Sequence, residues 1–380
     1  MLNKIIFSTL FILSSTYASQ LFIGTAKSDG IYTSKLNIQT GELSPIKCVA
    51  KINRPSFLSI DSKNKKLYCT NLNNFNDFGE IVSFKIQHEG KLNKLNSVSS
   101  EGVNPCHLNI CPSKKVLFTV NYGAPNKEIG QKRKSHSIAS YKIQKNGQLS
   151  QSISRYAHFG ESTHPKRQKE PHAHSVVPHP DDPYVYAADL GADAIFIYKY
   201  DKDSANLTPF NKIIIPGGGV GPRHMKWTKD GRFLYVINEL NLTLSVFKYL
   251  GQGELKLIDN IDAYPKTKNR EELTAAEIRL HPHLPIIYVS IRDKIKNGRD
   301  SITIFKKNNN QVRRISTIPA KVEFPRNFNI DSTGKWLVIA GQRSQDIVVL
   351  SVDKNGMPGN MINRYEFPGE PICLEFFEET

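Results

Sequence analysis

A short β-rich phrase recurs seven times along the 380-residue chain, and this repetition restricts the fold more than any other feature of the sequence. The third residues of the seven copies stand at positions 23, 69, 119, 187, 236, 289 and 339, so the steps between them are 46, 50, 68, 49, 53 and 50 residues. A second alternating run follows each copy, and helical periodicity is nearly absent. Strands and turns repeated at this interval predict an all-β fold, namely a seven-bladed β-propeller built of four-stranded antiparallel blades.

The two ends of the chain carry complementary strands. Residues 371–376 have the pattern of an innermost strand without a following partner, and residues 21–25 have that of a second strand without a preceding one. We therefore expect the N- and C-terminal strands to complete one blade together and to close the ring, which leaves no open sheet edge between the first and last blades.

Residues 1–18 have the features of a secretory signal peptide. Lys4 precedes a short apolar run over residues 5–13, and Ala18 ends a stretch of small and polar residues. We expect cleavage near Ala18, export to the periplasm or the medium, and no membrane anchor on the mature chain. Residues 19–380 would then form a single propeller domain, with inserted loops at about 124–135 and 158–170, where one repeat step reaches 68 residues.

The chain is strongly basic, with 51 Lys and Arg against 35 Asp and Glu, a formal net charge of +16. Nucleic acid, an anionic surface and an anionic small molecule are the partners that such a charge suits. Long basic runs and RNA-binding signatures are missing from the sequence, which argues against nucleic acid. The five cysteines include no C-x-x-C pair, so neither a disulfide framework nor a zinc ribbon is predicted.

Polar and charged side chains concentrate where the predicted innermost strands begin. In a propeller these strands line the central channel, so equivalent positions form a ring. The ring contains His107, His172, His174, Arg223, Glu277 and Arg326, and the ends of the adjacent strands add Asn121, Asp189, Asn238, Glu239, Arg292 and Gln342. Such groups are costly to bury unless they pair with one another or meet a ligand.

Two other interpretations of these residues follow from their types and spacing. Ion pairs between blades, such as Glu239 with Arg292 or Arg223, are the structural alternative to a ligand site. His172 and His174 have the spacing of metal ligands, but no third ligand motif accompanies them, so no metal or other cofactor is predicted.

At these positions the sequence resembles the lactonase family of seven-bladed β-propellers, which includes bacterial 6-phosphogluconolactonases and fungal carboxy-cis,cis-muconate cyclases. The matching phrases are Pro105-Cys106-His107-Leu108, Asn121-Tyr122-Gly123, Pro171-His172-Ala173-His174-Ser175, Gly221-Pro222-Arg223-His224, Ala275-Ala276-Glu277-Ile278 and Pro325-Arg326-Asn327-Phe328. The resemblance implies catalytic roles for His174, Arg223, Glu239 and Arg292. Candidate substrate-binding residues are His107, His172, Arg326, Glu277, Asn238 and Arg167, the last on a loop motif expected to cover the channel mouth.

The resemblance implies hydrolysis of an anionic sugar lactone, 6-phosphogluconolactone or a related compound. We expect the enzyme to be a monomer. Glu239 or His174 would deprotonate the attacking water, and Arg223 with Arg292 or Arg326 would bind the phosphate or carboxylate and stabilise the oxyanion. No G-x-S-x-G nucleophile motif is present, which favours direct attack by water. Two alternatives remain, namely a cycloisomerase that opens or closes a lactone with the same arginines, and a binding propeller without catalytic activity.

Overall fold

A computed structural model describes residues 18–72, 78–125, 128–129, 133–308 and 311–378. Of the predicted signal peptide, all but Ala18 lies outside the described residues. Within the described ranges, no helix has both the length and the apolar character that a membrane-spanning helix requires.

The strands form seven four-stranded antiparallel sheets, which confirms the predicted propeller. We number the strands in chain order and the blades from the one that contains the first strand. The innermost strands of neighbouring blades contact one another in a closed cycle, from blade 1 around to blade 7 and back. Because short turns connect the strands within a blade, each strand pairs with its neighbour in sequence.

Each blade has one strand beside the channel and three more that follow it outward. In that order, blade 1 consists of β30 (Pro371–Phe377), β1 (Ala18–Thr25), β2 (Ile31–Asn37) and β3 (Lys47–Ala50). Blade 2 consists of β4 (Pro55–Asp61), β5 (Lys66–Asn71), β6 (Phe78–Ile86) and β7 (Leu92–Val103). Blade 3 consists of β8 (Pro105–Ile110), β9 (Val116–Asn121), β12 (Ile138–Ile143) and β13 (Leu149–Tyr156). Blade 4 consists of β14 (Ala173–Pro178), β15 (Tyr184–Asp189), β16 (Ala194–Tyr200) and β17 (Leu207–Ile214).

The remaining blades follow the same order. Blade 5 consists of β18 (Pro222–Trp227), β19 (Phe233–Asn238), β20 (Thr243–Gly251) and β21 (Glu254–Asp262). Blade 6 consists of β22 (Leu273–Leu280), β23 (Ile286–Asp293), β24 (Ser301–Asn308) and β25 (Gln311–Pro319). Blade 7 consists of β26 (Pro325–Ile330), β27 (Trp336–Gly341), β28 (Asp346–Val352) and β29 (Pro358–Glu366). A hairpin of β10 (Glu128–Ile129) and β11 (Arg133–Lys134) and a 3₁₀ turn at His88–Gly90 lie outside the blades.

Blade 1 joins the two ends of the chain, as predicted. Strand β1 pairs antiparallel with β30, with Leu21 opposite Phe376 and Ile23 opposite Leu374. The core consists of seven apolar clusters, one between each pair of adjacent blades, and two of them join blade 1 to its neighbours. The hydrophobic contact that stabilises the ring is therefore continuous through the blade that both termini build.

A β-bulge interrupts the innermost strand of every blade at the same place, close to the strand's start. The unpaired residues are Ser56, Cys106, His174, Arg223, the Ala276–Glu277 pair, Arg326 and Ile372. A bulge inserts one extra residue and redirects its side chain. Because the bulge repeats around the ring, these side chains gather at one mouth of the channel.

Candidate active site

The mouth beside the bulges contains a cavity of about 420 Å³. Every bulge except the one in blade 6 contributes a residue to its lining. A second ring comes, in six of the blades, from the residue that follows the second-strand partner of the residue before the bulge, namely Ala26, Leu72, Tyr122, Glu239, Arg292 and Gln342. Six cationic side chains and one carboxylate line the cavity among the residues that the structure describes: Arg54, Arg167, Arg223, Arg292, Lys294, Arg326 and Glu239. The cavity therefore favours an anionic occupant.

Glu239 connects three of these cations. Arg223 Nε donates to Glu239 Oε2 at 2.8 Å, and Arg292 Nη2 lies 3.0 Å from the same oxygen. Arg167 Nη2 donates to Glu239 Oε1 at 2.9 Å. Burial alone would raise the pKa of Glu239, but Arg292, Arg223 and Arg167 together hold it well below its usual range. Glu239 is therefore an ionised anchor that orients the guanidinium groups.

The two buried arginines beside Glu239 are also fixed by main-chain oxygens. Arg223 Nη1 donates to the carbonyl of Ala276 at 2.6 Å, and Arg292 Nη2 donates to that of Ala275 at 3.0 Å. Burial lowers the pKa of Arg292 to about 9, while Glu239 opposes that shift. Both groups are held in place before a ligand arrives, which suits stabilisation of a developing negative charge.

His174 lies in the cavity wall as the bulged residue of blade 4. Its ring is edge-on to Tyr122 at 5.5 Å and to His224 at 5.3 Å, and its Nδ1 is buried without a hydrogen-bond partner in the described part of the chain. Burial and the nearby Arg223 lower the pKa of His174 well below its usual range. The imidazole is therefore neutral at neutral pH and retains a lone pair that can accept a proton.

Arg326 differs from the other arginines of the cavity. Arg223, Arg292 and Arg167 each contact Glu239, whereas Arg326 makes no ion pair or hydrogen bond with any described residue. Burial and the neighbouring Arg223 lower the pKa of Arg326 to about 10. It is therefore charged at neutral pH and free to bind an anionic group with its planar fork of donors.

The inserted loop at 158–170 delivers Arg167 to the cavity. Gln168 is fully buried and donates to the Leu190 carbonyl at 2.8 Å, and Asp193 accepts from Ser162 at 2.6 Å. In blade 4 the residue equivalent to Glu239 is Leu190, which is buried and absent from the cavity lining, and Arg167 from the loop reaches the mouth instead. The placement of Arg167 is shown, and the covering of the mouth by this loop stays a prediction.

The structure brings six of the ten candidate residues to the cavity, and the other four lie outside its lining. The six are His174, Arg223, Glu239, Arg292, Arg326 and Arg167. Asn238 donates to Thr243 and Ser245 within blade 5, and His172 stacks on Tyr122 with its Nδ1 2.8 Å from the Tyr122 carbonyl.

The last two candidates belong to a layer of side chains that fills the channel below the cavity, which we call the middle layer. It consists of Phe57, His107, His224, Glu277 and Asn327. The ring of His107 packs on Phe57 at 4.1 Å, and Glu277 Oε1 lies 3.2 Å from His224 Nδ1. Over the described ranges, no three His, Cys, Asp or Glu side chains converge to hold a metal ion.

Tyr122 lines the cavity, although the sequence analysis did not single it out as a candidate. Its hydroxyl accepts from Arg167 Nη2 at 2.9 Å, and its ring lies against both His172 and His174. It follows Asn121 as Glu239 follows Asn238, so its repeat position was a usable signal. Arg54, Thr274 and Phe324 also line the cavity, and they precede the innermost strands or begin them.

Comparisons with known proteins agree with this architecture. The chain matches the family model described as "Lactonase, 7-bladed beta-propeller" over residues 14–376. It is 30% identical over 329 residues to the 6-phosphogluconolactonase of Formosa agariphila, which covers 85% of this chain and 88% of that protein. It is 26% identical over 368 residues to the 6-phosphogluconolactonase of Bacillus subtilis, covering 94% and 98%. The solved structure of a periplasmic gluconolactonase from Pseudomonas aeruginosa is similar with a TM-score of 0.84 and 25% identity, covering 96% of this chain and 100% of that one.

Proposed function

The chain belongs to the lactonase family of seven-bladed β-propellers, and on that basis we propose that it hydrolyses the lactone ring of a small molecule that carries an anionic group. The observation that carries the proposal is the cavity itself, in which six cationic side chains face one carboxylate and a neutral histidine. Lactone hydrolysis places negative charge on the carbonyl oxygen in its transition state, and fixed guanidinium groups stabilise such charge.

His174 is the general base in this proposal. The attacking water gives a proton to the imidazole while its oxygen bonds to the carbonyl carbon. The resulting imidazolium then returns a proton to the ring oxygen as the carbon–oxygen bond breaks, which yields a hydroxy acid. Glu239 was the other candidate base, but both of its carboxylate oxygens already face arginine donors, whereas His174 Nδ1 has no hydrogen-bond partner among the described residues.

The arginines divide the remaining work. Arg223 and Arg292, fixed by Glu239 and by carbonyl oxygens, stabilise the oxyanion, and Arg326 binds the substrate's phosphate or carboxylate. The relatives from Formosa agariphila and Bacillus subtilis are 6-phosphogluconolactonases, which supports a phosphorylated sugar lactone as the substrate. The N-terminal apolar run and the similarity to a periplasmic gluconolactonase support export of the protein.

A panel of lactones with and without a phosphate or carboxylate tests the proposal, with acid release followed in a pH-stat and spontaneous hydrolysis subtracted. We expect turnover of anionic lactones. His174→Asn should lower kcat by about 10²- to 10⁴-fold, the usual contribution of a general base, while the exposed-site control His88→Asn keeps the wild-type rate.

Arg326→Met should raise KM for an anionic lactone and leave a neutral lactone nearly unchanged, whereas the exposed control Arg313→Met should affect neither. Labelled water distinguishes hydrolysis from cycloisomerisation, because only hydrolysis incorporates the water oxygen into the product. Unchanged rates in both His174→Asn and Arg223→Met would contradict the site, and a panel without any turnover would favour a binding propeller.

A further inference from the structure

The opposite mouth of the channel holds a second group of charged and polar residues that the proposed hydrolysis does not use. Lys226, Arg279, Asn329 and Glu375 each lie three residues beyond a bulge position, on the innermost strands of blades 5, 6, 7 and 1. A cavity of about 260 Å³ opens there, lined by Lys226, Arg279 and Asn329 together with Trp227. We propose that this cavity is a second binding site, and that its ligand is a small oxyanion with the chemistry of a phosphate or a carboxylate.

Hydrogen-bond donors exceed the available acceptors in this cavity. Lys226 forms no ion pair or hydrogen bond with the described residues. Arg279 Nη2 donates to Glu375 Oε1 at 2.7 Å, but Arg279 Nε is buried without a partner in the described ranges, although the residue is only 7% exposed. A bound oxyanion would accept from both side chains.

The carboxylates around the cavity are already committed. Glu375 accepts from Arg279 and, through its other oxygen, from Asn329 Nδ2 at 3.4 Å. Asp331, which also lines the cavity, accepts from the main-chain amides of Thr333 and Trp336. Among the described residues, no carboxylate forms a direct ion pair with Lys226. Burial and the nearby Arg279 lower its pKa, and the charges of Glu277 and Glu375 partly oppose that shift.

The second site is separated from the catalytic cavity by the middle layer. Glu277 reaches His224 above and lies 3.6 Å from Arg279 Nη2 below, so the layer lies between the two cavities, which share no lining residue. A ligand at the second mouth would therefore bind without competing with a lactone, and the inference stands independently of the proposed function.

Trp227 provides a direct measurement, because its ring lines the second cavity and the chain has two tryptophans. In a Trp336→Phe background, Trp227 is the sole tryptophan fluorophore. We expect inorganic phosphate or acetate to change its fluorescence saturably. Adding Lys226→Met should weaken that binding by about tenfold or more, since a charge-assisted hydrogen bond is lost. Lys248→Met removes the same charge from an exposed position of the same blade and should leave binding unchanged.

A second measurement does not depend on finding the right ligand. In anion-free buffer Lys226→Met should raise the melting temperature, because it removes a partly buried cation that forms no direct ion pair with a described residue. Added phosphate should raise the melting temperature more in the Lys248→Met control than in Lys226→Met. A fluorescence change that persists in Lys226→Met, or that Arg326→Met abolishes instead, would overturn the proposal, as would the absence of any change with both anions.

Discussion

Glu239 lies among three arginine side chains, and the energetics of the cavity follow from how deeply these charges are buried. Glu239 and Arg223 are almost fully buried, and Arg292 is 3% exposed. Buried ions are tolerated only with partners in good geometry, because leaving one unpaired forfeits its solvation without compensation. The ion pairs that the sequence suggested as an alternative to a ligand site are present, and they position the arginines that the proposed chemistry uses.

Replacing Glu239 by Gln should therefore destabilise the protein strongly. We expect a loss of about 3 to 5 kcal/mol, since the change leaves three guanidinium groups without their shared carboxylate. The folded-state pKa of Glu239 is depressed, so its contribution is fully present above the ordinary carboxyl value of 4.5 and is lost as pH falls through the lower folded value. Denaturation midpoints measured at several pH values should show the stability difference between the wild type and Glu239→Gln becoming smaller in acid. The exposed control Glu254→Gln should stay close to wild type.

The acid limb of the rate profile reports on His174. Because burial and Arg223 depress its pKa, the imidazole remains a base at pH values where an ordinary histidine would be protonated. We expect kcat/KM to stay constant through pH 6.5, the ordinary value, and to fall only at distinctly lower pH. A limb centred at or above pH 6.5 would rule out His174 as the general base.

The bulge and the inserted loop are the structural elements that build the site. One extra residue in each innermost strand directs a side chain into the mouth, and the loop at 158–170 adds a cation that no blade position supplies. Gln168 donates to Asp193, and these two residues join the loop to blades 4 and 5.

Releasing this attachment should weaken catalysis without unfolding the propeller. In Gln168→Ala the loop loses the hydrogen bonds of the buried Gln168 side-chain amide, which should lower the free energy of unfolding of the loop by about 1 to 3 kcal/mol. Arg167 then no longer holds Tyr122 and Glu239, so kcat/KM should fall and the loop should become sensitive to limited proteolysis. The exposed neighbour Lys169→Ala is the matched control. If Gln168→Ala were cleaved and turned over substrate at the same rates as the wild type, Arg167 would be held in place by other contacts.

The whole molecule is a closed ring, and its stability depends on the blade that both termini share. Removing residues 371–380 deletes β30 and exposes the inner edge of β1, together with the apolar clusters on both sides of blade 1. We expect this truncated chain to aggregate or to melt at a much lower temperature, because the unpaired edge of β1 and the apolar side chains of both clusters become exposed to solvent. A chain ending at Glu378 retains β30 and should melt like the full-length protein.

The net charge of +16 is a property of the whole molecule, and six cationic side chains are concentrated at one mouth of the channel. Anionic substrates should be steered toward that mouth at low salt. Raising the ionic strength from about 0.01 to about 0.15 M shortens the screening length from about 30 to about 8 Å. We therefore expect kcat/KM to fall for an anionic lactone and to stay constant for a neutral one. Equal salt dependence for both substrates would contradict steering.

The number of blades, the closure of the ring and the identity of the innermost strands followed from the sequence alone. Those properties depend on local patterns, namely alternation within a strand and turns between strands, and the pattern was repeated often enough to be unambiguous. The strand that starts with Pro222, for example, could be placed beside the channel without any knowledge of its neighbours.

Only the tertiary structure decided which candidates share a site. Glu239 meets Arg223 from its own blade, Arg292 from the next blade and Arg167 from a loop 72 residues earlier, and no local pattern encodes those distances. Glu277 and Arg326 occupy similar repeat positions, yet one fills the middle layer and the other faces the cavity. A shift of one residue at a bulge turns a side chain to another level of the channel, and the packing of neighbouring blades determines that shift.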